Sequence, residues 1–76
     1  MDINKVATYL EEQGCDHVAV IGPRIVYTTP NSLRGVMKFG IGTPVTEYIG
    51  MDDEGLELTG TYNTMEELKA VWEHGS

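Results

Sequence analysis

At 76 residues the chain is long enough for one small domain, and its 41% hydrophobic and 22% charged composition excludes a disordered chain, which lacks the apolar residues to offset ordering entropy. Twelve acidic side chains against five basic ones give a formal charge of −7, which argues against direct nucleic-acid binding because phosphate contacts need a basic face. The single cysteine, Cys15, rules out an intrachain disulfide; with no signal-peptide pattern and no apolar run near the ~20 residues of a membrane span, a soluble cytoplasmic protein is expected.

The first element is a helix over about 3–13. Asp2 is a good N-cap, Ile3, Val6, Ala7 and Leu10 recur at helical spacing, and Gly14 suits the left-handed turn that ends it. Two short β-branched runs follow, 17–21 and 24–29, joined by Gly22-Pro23 as a hairpin and stopped by Pro30. Segment 31–39 supports two readings. Leu33, Val36 and Met37 fit a short helix capped by Asn31 or Ser32, the reading preferred here, while alternation through Met37, Phe39 and Ile41 fits an extended strand. A second hairpin is expected from 44–51 and 56–62, with turn chemistry at 52–55. Asn63 or Thr64, with Glu66 or Glu67 three residues on, gives a capping box for a closing helix over about 64–74, its apolar face made of Met65, Leu68, Val71 and Trp72.

The expected fold is therefore α+β and two-layered. About four antiparallel strands in two hairpins pack against N- and C-terminal helices, in the order α-β-β-(short helix or loop)-β-β-α, leaving one sheet face free.

Chemical motifs are sparse. The glycines of "KFGIGTPVTEYIG" lack the Lys-Ser/Thr of a phosphate loop and the third glycine of a dinucleotide fingerprint, so they are read as bends feeding a strand. Cys15, His17 and His74 do not have the spacing of a zinc site, and "DDE" at 52–54 lacks the ligand series of a calcium loop, so neither metal nor cofactor is expected. Glu47 and Glu57 lie on the two strands of the second hairpin, but no pocket or aromatic platform marks them as a catalytic carboxylate pair. No nucleophile, base and orienting group can be named together, so no enzyme activity is expected.

Charge is segregated along the chain. Residues 17–46 contain Arg24, Arg34 and Lys38 and no acid, a candidate anion- or nucleotide-sensing set or a counterweight to acidic helices. The acids concentrate afterwards, in Glu47, Asp52, Asp53, Glu54, Glu57, Glu66, Glu67 and Glu73, which form a candidate partner-binding surface. Tyr9, Tyr27, Tyr48 and Tyr62 would add a contact surface if two or three of them shared the free sheet face.

These features favour a non-enzymatic module that binds a protein with a basic surface. In size and acidity the chain resembles phage-encoded inhibitors such as anti-CRISPR proteins, a likeness of kind that no motif carries. That resemblance implies a viral inhibitor whose carboxylates occupy the basic groove of a nucleic-acid-binding protein. The alternative is a small structural or regulatory subunit that self-associates through a sheet face or edge, a usual remedy for a thin core.

Overall fold

The computed structural model describes residues 1–74 and runs α1 (Ile3–Glu12), β1 (Asp16–Ile21), β2 (Arg24–Thr28), β3 (Arg34–Gly40), β4 (Thr43–Gly50), β5 (Glu57–Tyr62) and α2 (Met65–His74). Asp2 starts α1 by accepting from the Asn4 and Lys5 amides at 2.8 and 3.4 Å. Gln13 closes the helix and Gly14, at φ 94°, turns the chain into the sheet. At α2, Thr64 Oγ1 accepts from the Glu67 amide while the Glu67 carboxylate accepts from the Asn63 amide, which is the reciprocal capping read from the sequence.

The five strands make one antiparallel meander in chain order, β1-β2-β3-β4-β5. This corrects the expected four strands: segment 34–40 is a central strand, not a short helix. Arg34 to Lys38 pair on one side with β2 and on the other with β4, so ten residues of neighbouring strand supply a register that an isolated helical turn could not match. Gly35 is required there. It lies opposite Tyr27, and a Cβ at position 35 would sit 2.2 Å from the Tyr27 ring. β3 and β4 are joined through Ile41-Gly42, with Gly42 at φ 72° as a tight hairpin turn needs.

Both helices cover the same sheet face. Val6, Tyr9 and Leu10 of α1 and Leu68 of α2 share a core with Ile25, Tyr27, Met37, Val45 and Tyr62, which are the residues of β2 to β5 that point toward the helices. Tyr9 also ties the helices together: its hydroxyl donates to Glu73 Oε2 at 2.8 Å and its ring lies 5.6 Å from Lys69 Nζ. Val71, expected in the apolar face of α2, is half exposed instead. No helix among the described residues is long and apolar enough to cross a membrane.

Gly35→Ala is expected to destabilise the fold by about 1–3 kcal/mol through overpacking against Tyr27. Urea denaturation checks this, and the double variant Gly35→Ala/Tyr27→Leu, which removes the clashing ring, should recover part of the loss.

Candidate functional site

Strand alternation sorts the notable side chains between two faces, and each face holds a candidate site. On the helix-facing side, β4 places Val45, Glu47 and Ile49 inward, so a carboxylate enters the core, where Glu47 is only 4% exposed. Burying a carboxylate without donors costs several kcal/mol, and here three converge on it. Thr59 Oγ1 and Tyr62 Oη donate to Oε1 at 2.8 and 3.0 Å, and Trp72 Nε1 donates to Oε2 at 2.8 Å. Gly60 lies opposite Glu47, and a Cβ there would come within 2.6 Å of the Tyr62 hydroxyl, so glycine clears the path between the phenol and the carboxylate.

Around this centre Tyr27 packs its ring against Trp72, with centroids 6.1 Å apart and planes at 59°. Its hydroxyl is buried and has no hydrogen-bond partner among the described residues. Burial, then the negative charge of Glu47, pushes the Tyr27 phenol up, and the same two causes push Tyr62 up, reinforced by its bond to Glu47. The Cys15 thiol is pushed up from 9.0 to about 11 by burial first and by the nearby Asp16 and Glu47 charges second. A thiol so placed is neutral and shielded at ordinary pH, the opposite of an activated nucleophile. A cavity of about 340 Å³ opens beside Glu47 and Trp72.

The other sheet face carries no helix. Residues directly paired across the strands give a single row, Ala19, Val26, Val36, Tyr48 and Leu58, one from each strand. Val36 is buried by its neighbours in the row yet stands outside the core cluster beneath the helices. A second row is Ile21, Arg24, Lys38, Thr46 and Thr61, and Arg34 faces the same way opposite Thr28. Lys38 Nζ lies 5.0 Å from the Tyr48 ring centre. Arg24, Arg34 and Lys38, separated by up to fourteen positions in sequence, are thus brought to one surface. Arg34 is partly occupied by Asp53, at 2.9 Å from Nε to Oδ1.

The eight acids proposed as one surface are dispersed. Glu47 is interior. Asp52 Oδ1 holds the β4–β5 turn by accepting from the Glu54 and Gly55 amides, Asp53 pairs with Arg34, Glu67 caps α2 and Glu73 accepts from Tyr9. Glu54, Glu57 and Glu66 are exposed and their carboxylates make no hydrogen bond or ion pair within the described residues. Glu57 pairs with Ile49 in register, not with Glu47, so the two do not form a facing carboxylate pair. Only Tyr48 of the four tyrosines reaches the open face; Tyr9, Tyr27 and Tyr62 are buried. No group of three or more metal-binding side chains is found among the described residues.

The interior role of Glu47 was missed because a Glu in an alternating strand reads as solvent-facing. Its signal lay in the neighbours, since Val45 and Ile49 at i±2 mark its face as the apolar one. No protein-family model matches this chain, and neither the curated proteins nor the solved structures compared with it give a match.

Two outcomes are expected. Tyr27→Phe removes an unpaired buried hydroxyl and should leave stability unchanged or raise it by about 1–3 kcal/mol; a loss of that size would show the hydroxyl to be bonded. Cys15 keeps its proton to about pH 11 in the fold and loses it near 9 when unfolded, while Tyr9, pushed from 10.0 up to about 12 by burial and by Glu73, behaves alike. Their contribution to stability is complete below pH 9 and is lost as pH rises toward 12, because there the unfolded chain binds fewer protons. Urea midpoints at pH 8 and pH 10.5 should therefore fall in that order.

Proposed function

We propose that this protein is a non-enzymatic binding module that docks an acidic amphipathic helix of a partner protein on its open sheet face. The observation that supports this most directly is the row Ala19, Val26, Val36, Tyr48 and Leu58, which crosses all five strands and ends in a 59% exposed leucine. Four strand spacings make the row about 19 Å long, the length of about 13 helical residues. One apolar stripe of an amphipathic helix fits along it.

Charge complementarity selects the flanks. Three of the five Lys and Arg residues, Arg24, Arg34 and Lys38, border the row, in a chain whose net charge is −7. A second copy docked face to face would set these cations against one another. Single-stranded nucleic acid needs stacking aromatics and a favourable overall field, whereas this face offers Tyr48 alone on an acidic molecule. Carboxylates flanking the partner's apolar stripe answer both the row and its border. The buried, unreactive Cys15 suits a reducing, cytoplasmic setting.

A second reading keeps the acidic surface as the contact. Glu54, Glu57 and Glu66, exposed and unengaged by the fold, support an inhibitor of the anti-CRISPR type that presents carboxylates to the basic groove of a nucleic-acid-binding protein. The two readings place the partner on different sets of residues.

Affinity capture from lysate of the source cells with three baits separates them. The variant Lys38→Glu/Tyr48→Ala/Leu58→Asp is expected to lose the partner retained by the wild type, while Glu54→Lys/Glu57→Lys/Glu66→Lys retains it. The reverse pattern would establish the acidic-surface reading. A partner retained equally by both variants would reject both. Circular dichroism of each bait shows that the loss comes from the surface and not from unfolding.

A further inference from the structure

We infer that the cavity beside Glu47 and Trp72 is a binding site for a primary ammonium carried on a short alkyl chain. This site lies on the helix-facing side of the sheet, away from the docking face, and does not depend on the reading above.

The starting point is a buried carboxyl group with no cationic partner among the described residues. Glu47 is 4% exposed, and its three hydrogen-bond donors, Thr59, Tyr62 and Trp72, are all neutral. The ion pair found among the described residues, Arg34 with Asp53, lies on the opposite sheet face. Buried carboxylates are ordinarily matched by a cation, and the fold offers this one dipoles alone.

Hydrogen-bond capacity then narrows the ligand. A carboxylate has about four acceptor positions. Oε1 accepts two bonds and Oε2 accepts one, from Trp72, so the remaining capacity is on the oxygen next to the indole that also walls the cavity. A guanidinium needs both oxygens for its fork, and Oε1 is already committed. A metal ion would need further anionic ligands, and no such group is found among the described residues. An ammonium needs a single free acceptor, which Oε2 offers.

The cavity supplies the rest. Its volume of about 340 Å³ suits a small ligand, and Leu33, Ile49 and Val71 give it an apolar wall for an alkyl chain. Gln13 and Asn31 stand at its sides, where they can meet a polar group on the far end of the ligand. The shared chemistry is that of a free alkylamine and of a lysine side chain.

Trp72 is the sole tryptophan, so its fluorescence reports directly on the site. Titration of the full chain with n-pentylammonium, N-acetyl-lysine methylamide and n-pentanol is the test. Saturable change is expected with pentylammonium at least roughly tenfold tighter than with the neutral alcohol, as a charge-assisted bond implies. Binding of the lysine amide as well identifies a lysine side chain as a source, and its failure while pentylammonium binds identifies a free amine. Glu47→Gln should abolish the preference for the amine. If that variant does not fold, amide chemical-shift mapping of the wild type decides: the Trp72 indole and the Ile49 amide should move with pentylammonium while Val26 and Val36 stay still. No saturable response to either amine up to about 10 mM, equal affinity for alcohol and amine, an unchanged preference in folded Glu47→Gln, or shifts confined to other residues would each overturn the inference.

Discussion

The burial of Glu47 is the constraint around which the helical side of the molecule is arranged. A carboxylate can occupy the inward face of β4 only where donors replace water, and they come from two places: Thr59 and Tyr62 on β5, and Trp72 near the end of α2. The same three bonds fix the register of β5 against β4 and pin a helix whose one fully buried residue is Leu68. Two glycines serve this centre. Gly60 clears the path of the Tyr62 phenol, and Gly35 makes the floor on which the Tyr27 ring lies beside Trp72. A small domain has little core to spend on polar groups, so a carboxylate held by three donors is a strong specifier of one arrangement.

A second consequence is the separation of charge across the sheet. With the helices on one side, Glu11, Glu12, Glu66 and Glu73 belong to the helical layer, while Arg24, Arg34 and Lys38 flank the apolar row on the other side. Sequence segregation becomes spatial segregation because β2 and β3 contribute their even-numbered residues to the open face. The open face thus sets Arg24 and Lys38 beside the apolar row, with Arg34 paired to Asp53 at the other side of it, and the net charge alone would conceal these cations.

Much of this was legible in the sequence. Both terminal helices followed from Asp2, Gly14 and the Thr64-to-Glu67 box, and both hairpins followed from alternation and turn residues, because these signals are local. Segment 31–39 was misread because its decisive partners are remote: Val36 pairs with Val26 and Tyr48, and Gly35 makes sense only beneath Tyr27. The acidic candidates were recognised by type, yet their local duties were not. Asp52 turns the chain, Asp53 neutralises Arg34 and Glu73 accepts from Tyr9, roles that depend on distances no composition records. The open face itself was foreseen, but its character was not, since three of the four tyrosines went inward.

The most direct test of this account is a double-mutant cycle on the link between the sheet and α2, with Glu47→Gln, Trp72→Phe and their combination compared by urea denaturation. Trp72→Phe deletes the Nε1 donor together with part of the ring, and Glu47→Gln replaces the charged acceptor with a neutral amide, so each alters the bond from Nε1 to Oε2. Coupling of about 0.5–3 kcal/mol between the two sites is predicted. Additive effects within about 0.3–0.5 kcal/mol would contradict it, and would show that the bond between Trp72 and Glu47 does not hold α2 to the sheet.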